Sequence, residues 1–290
     1  MSTPLVTIVI PVYNAETTIG DCLQSVLRCS YDSLEVVVVN NASTDGTAGI
    51  VSKFAGHDAR LRLVSAPIRG RGEARQAGIE SAQGEVVAMT DADCVVPVDW
   101  VARITEPIRS GTAAAVVGGE VVNSKNYWAQ AFARAHISFQ RGTYYGDGIL
   151  TIDTKNFACY RSLLAELGFD RSLQNFEDLE LALRLRARTN ICYAPDVRVV
   201  HRYPESLSAA WRLCVNRGFW AMNIFLRYRK TNEARREPHF ASFHWHAVVL
   251  FPLWLLLESV ARPLKDLPFF WLSEIAWRWG AVRALIVNSR

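Results

Sequence analysis

The triplet Asp91-Ala92-Asp93 follows an apolar run, Val86 to Thr90, and its residue types are the ones in this chain that most directly suggest chemistry. Two carboxylates released together from the end of a buried strand can hold a divalent cation, and such a cation can neutralise a diphosphate leaving group. An Asp-x-Asp alone arises by chance about once in a chain of this length and composition. Its information lies in its order after two other polar segments, one at Tyr13-Asn14 and one from Asn40 to Gly46.

Each polar segment follows a run that reads as a strand. Val6 to Val12 is apolar and β-branched, ends through Pro11 at Tyr13, and precedes helical spacing through Ile19, Leu23, Val26 and Leu27 over residues 15–28. Leu34 to Val39 reads as a buried strand that opens into the Asn40 turn, and Thr47 to Phe54 as a helix with Ser43 or Asp45 as its cap. Leu61 to Val64 makes a short third strand. Arg69-Gly70-Arg71-Gly72, a helix through Ala74, Ala77, Gly78, Ile79 and Ala82, and the strand Glu85 to Met89 then lead to Asp91. Alternating strands and helices predict a parallel sheet with ligands beyond the carboxyl ends of its strands, so the three polar segments line one crevice. Val116 to Val122 predicts a further strand, Trp128 to Phe139 a helix over the crevice, and Ile149 to Cys159 and Ile191 to Val200 extended chain. Ser162 to Leu167 and Asp178 to Arg188 read as helices.

At 290 residues with 50% hydrophobic and 21% charged side chains, the chain can bury a full core, and a disordered chain is excluded. A net charge of +4, with basic residues not interleaved with aromatics, argues against a nucleic-acid binder. The positive excess sits late, at Arg212, Arg217, Arg227, Arg229, Lys230, Arg235 and Arg236, and points toward an anionic surface or substrate. Six cysteines at scattered spacings, without a CxxC pair, and an N-terminus without a signal pattern read as a protein of the reducing cytoplasm. A nicotinamide dehydrogenase would need GxGxxG after the first strand, where this chain has Pro11-Val12-Tyr13-Asn14.

Taken in order, the segments Val9-Ile10-Pro11-Val12-Tyr13-Asn14-Ala15-Glu16, Asn41-Ala42-Ser43-Thr44-Asp45-Gly46-Thr47, Arg69-Gly70 with Ala74 to Ile79, and Asp91-Ala92-Asp93 resemble the inverting family 2 glycosyltransferases of the GT-A fold. Gly168-Phe169-Asp170, Glu177 to Leu181, Pro195 and His201 continue the likeness, which covers residues 4–210. The resemblance implies an α/β GT-A catalytic domain over residues 1–210, with a donor half to about residue 115 and an acceptor half over residues 116–210. It implies transfer of a sugar from a nucleotide diphosphate donor, a UDP-sugar first of all, to a hydroxyl with inversion, aided by Mn2+ or Mg2+.

Residue by residue, the same resemblance implies that Asp93 and His201 are metal ligands, that Asp91 meets the donor, and that Asp178 is the base beneath the acceptor hydroxyl. Outside such a site, His201 would be a strand-end surface residue and Asp178 a helix cap. Pro11 and Tyr13 would frame the nucleoside, and Arg75 would meet the base or the diphosphate, unless it is a solvated helix cation. Asn40 stands where relatives carry an acid that accepts the N3 hydrogen of uracil. Its amide can accept that bond or meet a different base edge.

Residues 211–290 differ in character. Trp245 to Val260 is almost wholly apolar but, at about 16 residues and interrupted by Pro252, short for a spanning helix, which needs roughly 20. Five of the nine tryptophans lie after residue 240, mixed with Arg262, Arg278 and Arg283. That mixture suits helices at a membrane interface, or else helices packed on protein. The expectation is therefore a peripheral enzyme on the cytoplasmic face of the membrane, with a lipid-linked or envelope glycan as acceptor. A sugar nucleotidyltransferase and a non-catalytic membrane scaffold of the same fold are the alternatives.

Overall fold

A computed structural model describes residues 3–144, 151–231, 251–260 and 262–288. They fall into two compact units, one of Met1–Asn123 with Tyr144–Arg202, the other of Ser124–Thr143 with Tyr203–Arg290.

The first unit is built on an eight-stranded sheet of order β3-β2-β1-β4-β7-β6-β8-β5. Its strands are β1 (Val6–Val12), β2 (Leu34–Asn40), β3 (Leu61–Ser65), β4 (Val86–Met89), β5 (Cys94–Val95), β6 (Ala115–Val121), β7 (Phe157–Tyr160) and β8 (Ile191–His201). β3, β2, β1 and β4 run parallel, as the alternation predicts. β7 then lies antiparallel between β4 and β6, β8 follows β6 in parallel, and β5 closes the edge antiparallel to β8. The sheet is therefore mixed, with its parallel part in the first half of the chain.

β1 and β2 are continuous Val/Ile runs because helices cover both faces of a parallel sheet. Ile8, Ile10, Val36 and Val38 face one core with Ile19, Cys22, Leu23 and Val26 of α1 (Ile19–Leu27) and with Trp100 of α4 (Trp100–Ile104). Val9, Val37 and Val39 face the other, with Ala74 and Ile79 of α3 (Arg71–Ser81) and Leu181 and Leu185 of α8 (Glu177–Leu185). The period of two along the strands thus sorts side chains into two cores, each large aliphatic contributing about 1.5–3 kcal/mol. α2 (Thr47–Ala55), α5 (Glu106–Arg109) and α7 (Arg161–Leu167) complete this unit. All six cysteines are free thiols, none in a disulfide.

Helices make up the second unit: α6 (Tyr127–Tyr144), which shares its last residue with the first, α9 (Leu207–Tyr228), α10 (Phe251–Val260) and α11 (Leu267–Asn288). α9 and α11 approach closely, since a Cβ on Gly218 would stand 1.9 Å from the Trp277 carbonyl oxygen and one on Gly280 2.0 Å from that of Val215. Phe132 packs between Tyr203 and Phe269 at ring distances of 5.1 and 5.3 Å. Among the described residues no helix is long and apolar enough to cross a membrane. Arg235 and Arg236 of the late basic group and the start of the apolar stretch at Trp245 lie outside the described residues.

Candidate active site

The loops after β1 and β2 are tied together through side chains. Asn14 N donates to Ser43 Oγ at 3.1 Å, Thr44 N to Asn14 Oδ1 at 2.8 Å, and Ala15 N to Thr47 Oγ1 at 2.8 Å. These bonds hold residues 14–16 out of the helix that the periodicity extends back to Ala15, and α1 begins at Ile19. Asn14 turns at φ 46°, a conformation asparagine tolerates better than most residues. Asn41 is buried and joins a third loop, its Nδ2 donating to the carbonyls of Ala66 and Ile68 and its Oδ1 accepting from Gly70 N. Pro11, Tyr13 and Asn40 are gathered at this end of β1 and β2, where Pro11 pairs with Val39 and Val12 with Asn40. The Arg69 guanidinium lies 3.9 Å over the Tyr13 ring. Asn40 Oδ1 accepts from Ser43 N at 3.1 Å, which fixes the amide with its oxygen on the loop.

Strand pairing brings the Asp91 triplet to His201. β5 begins at Cys94, directly after Asp93, and Cys94 pairs with His201 at the end of β8. His201 Nε2 consequently lies 3.5 Å from Asp93 Oδ2. Burial pushes the Asp93 carboxyl up, but the His201 hydrogen bond and charge, together with Arg71, outweigh it and hold it below its ordinary value. β8 reaches this point after a bulge opposite Gly118 and Gly119, where Asn156 Nδ2 donates to the carbonyls of Gly119 and Val197. A Cβ on Gly118 would meet the Asn156 side chain at 2.1 Å, so the bulge, the glycine and Asn156 form one device.

The predicted base stands next to a buried network that reaches the same triplet. Arg75, 2% exposed, donates to Asp91 Oδ1 at 2.7 Å and to Glu177 Oε1, so one guanidinium joins the triplet to the start of α8. This burial rules out the reading of Arg75 as a solvated helix cation, and two carboxylates engage its terminal nitrogens. α8 starts from Phe176 in a left-handed conformation (φ 61°), an unusual state for a bulky residue and a local strain of about 1–3 kcal/mol. Asp178 follows Glu177, and its Oδ1 accepts from the Leu179 N–H. Burial first, then the negative charges of Glu177 and Asp153, push the Asp178 carboxyl up to about 7 against the opposing pull of Arg75 and that N–H. A carboxyl poised there can accept a proton near neutral pH.

Glu177 is 1% exposed, and its Oε2 has no hydrogen-bond partner among the described residues. Behind it lie three further buried or half-buried charges that the motifs did not single out: Asp153, Lys155 and Glu120, with Lys155 Nζ 3.0 Å from Glu120 Oε2 and also paired with Asp153. Their signal in the sequence is Asp153 and Lys155 interrupting the run Ile152 to Cys159. Around the site Asp91, Asp93, Glu120, Asp153, Glu177 and Asp178 outnumber Arg75 and Lys155, and such a surplus of acid suits a bound cation and a retained proton. One carboxylate and one imidazole at Asp93 and His201 suit a borderline or hard divalent ion. Burial and both aspartates push the neighbouring Cys94 thiol up, and its Sγ stands with Asp93 and His201 in one cluster of possible ligand atoms.

The mixed eight-stranded sheet, with Asp91-Ala92-Asp93 leaving its fourth strand, has the GT-A glycosyltransferase fold. Over 98% of its length the chain is similar to the mannosyltransferase PcManGT from Pyrobaculum calidifontis, solved in complex with GDP-Man and Mn2+, covering 88% of that chain at 23% identity and a TM-score of 0.73. S. aureus TarS 1-349 in complex with UDP is similar over 95% of this chain and 92% of its own, at 18% identity and a TM-score of 0.59. The family model for Glycosyl transferase family 2 matches residues 7–168, more than half of the 290, and the chain belongs to that family. Glycosyltransferase AglE of Haloferax volcanii is 38% identical over 121 residues, 41% of this chain and 40% of that protein. The chondroitin synthase of Pasteurella multocida is 28% identical over 214 residues, 68% of this chain and 21% of that enzyme, so the chain spans less than half the length of these relatives.

Proposed function

We propose that this chain is an inverting glycosyltransferase that moves a sugar from a nucleotide diphosphate sugar to a glycan hydroxyl with the help of Mn2+ or Mg2+. The observation that supports this reading is the Arg75 bridge, because one guanidinium joins Asp91 of the triplet to Glu177, the residue directly before Asp178. Asp93 and His201 would hold the cation. When bound there, it supplies Lewis-acid neutralisation of the departing nucleotide diphosphate. Asp91, pinned through one oxygen by Arg75, keeps its other oxygen for the donor. Asp178 takes the proton of the acceptor hydroxyl while that oxygen bonds to the anomeric carbon from the face opposite the breaking bond to the diphosphate. No covalent enzyme intermediate is formed.

Pro11, Tyr13 and Asn40 frame the nucleoside. Asn40 offers its amide nitrogen, so the base shows an acceptor at that point, as the carbonyls of both uracil and guanine can. UDP is the first nucleotide to test, and GDP the second, since PcManGT was solved with GDP-Man.

The acceptor we propose is a lipid-linked or envelope glycan reached from the cytoplasmic face of a membrane. Support comes from α11, where Trp271, Ile275, Trp279, Val282 and Ile286 form an exposed apolar stripe at helical spacing, and from α10, where Leu253, Leu256, Leu257 and Val260 are exposed. Stripes of this kind, with Arg262, Lys265 and Arg283 among them, suit an anionic lipid interface. The test of the donor reading is a thermal-shift screen of nucleotide diphosphates with and without Mn2+. A metal-dependent rise in melting temperature with UDP or GDP is expected; a chain that none of them stabilises under any metal condition is not a transferase of this class.

A further inference from the structure

Lys155 and Glu120 have no part in the proposed chemistry, yet they are buried beside it. Lys155 is 5% exposed and Glu120 6%, and burying such a pair costs several kcal/mol of desolvation per ion unless the geometry repays it. One chain of contacts leads from Lys155 to the metal side. Its Nζ lies 3.0 Å from Glu120 Oε2, that oxygen lies 3.8 Å from His201 Nδ1, and His201 Nε2 lies 3.5 Å from Asp93 Oδ2. The other carboxylate on Lys155, Asp153, caps the short 3₁₀ turn Thr154–Asn156 by accepting from Lys155 N, which fixes where the lysine leaves the chain. The next residue, Asn156, is bonded to the Gly119 carbonyl beside Glu120, so lysine and glutamate are held in register by backbone that neither could shift alone.

We propose that Glu120 and Lys155 are positioning residues for the metal-side histidine: Glu120 faces Nδ1 of His201 and leaves Nε2 toward Asp93, and Lys155 clamps Glu120 in that orientation. A histidine that ligates a metal through one ring nitrogen presents the other to an orienting carboxylate or carbonyl, which sets the tautomer and the ring plane, and losing that partner costs 10–100-fold in metal affinity. Here the carboxylate is buried and needs a cation of its own, and Lys155 supplies it. This inference rests on the reading of Asp93 and His201 as the cation site.

The test is the affinity of the full chain for Mn2+ alone, read from the loss of the free-ion electron paramagnetic resonance signal and the spectrum of the bound ion. Lys155→Met alone strands both Glu120 and Asp153 and risks the fold, so the decisive variant is Glu120→Gln/Lys155→Met, which removes the Glu120–Lys155 pair together and leaves only the half-buried Asp153 without its lysine. Such a replacement is often tolerated for stability. The double variant is expected to keep its circular dichroism and a cooperative melt, with some loss of melting temperature from Asp153, and to bind Mn2+ about 10–100-fold more weakly. Lys155→Arg is expected to stay near wild type, and UDP or GDP binding in the presence of a chelator to stay unchanged in all variants. A folded double variant that binds Mn2+ as tightly as wild type, with the same spectrum, overturns this inference and leaves the metal site standing. A wild-type chain that binds no Mn2+ sinks the metal site and this inference together.

Discussion

The two compact units treat charge and apolar surface in opposite ways. The first buries Arg75, Lys155, Glu120 and Glu177 inside a sheet whose remaining core is aliphatic, whereas the second leaves Trp271, Trp279, Leu256, Leu257 and Val260 exposed on its helices. Each choice costs stability, the first through desolvation of ions and the second through unburied hydrocarbon. Misplaced polarity of either kind can mark where a protein meets something else. On the function proposed above, the first unit meets a reacting ligand and the second a lipid surface.

Breaking the first half of the comparison means removing a buried charge, and Asp178→Asn should have the largest effect. Transfer is expected to fall about 10²–10⁴-fold, the usual contribution of a general base, with nucleotide diphosphate binding retained. The same variant should be more stable than wild type above neutral pH. An acid whose folded pKa is raised favours folding only while protonated, so stability falls as pH rises from the ordinary carboxylate range through about 7, and asparagine escapes that loss. Thermal melts of both proteins at acid and alkaline pH check this sign.

Arg75→Met leaves Asp91 and Glu177 facing each other without a cation. Breaking a buried pair from one side costs about 3–5 kcal/mol, so a denaturant melt should show a loss of that order, along with lost transfer. A loss well below 1 kcal/mol would mean that the bridge holds nothing together. On the second unit, Trp271→Ser with Trp279→Ser should weaken binding to vesicles containing anionic lipid by about tenfold or less and leave the melting temperature nearly unchanged. A large drop in melting temperature instead would place those rings in ordinary packing.

Much of the first half of the chain was legible. β1, β2 and β4 are short, β-branched apolar runs that end at polar turns, so length and composition give their type, and the alternation with helices gives the common end from which Tyr13, Asn40 and Asp91 leave. The antiparallel insertion of β7 between β4 and β6 was not, because a short buried run such as Phe157 to Tyr160 carries no mark of direction. Asp93 and His201 are 108 positions apart, and only the β5 to β8 pairing shows that they meet. Arg75 was visible as a residue but not as a bridge, since a helical arginine reads as solvated until its partners, 16 and 102 residues away, are placed. Glu120 and Lys155 were overlooked because a buried ion pair looks, in sequence, like two surface charges. The compact units also divide at Arg202 and Tyr203 and assign residues 124–143 to the second, which hydropathy did not mark.

The central claim is that one carboxyl, held near neutrality by burial and by Glu177 and Asp153, takes the acceptor's proton. The most direct measurement is the pH dependence of kcat for sugar transfer at saturating donor and Mn2+. The account predicts a rate that rises about tenfold per pH unit below a midpoint near 7 and is level above it, because the base must be ionised to act. A rate that is flat between about pH 5 and pH 9, with chemistry limiting throughout, would contradict it.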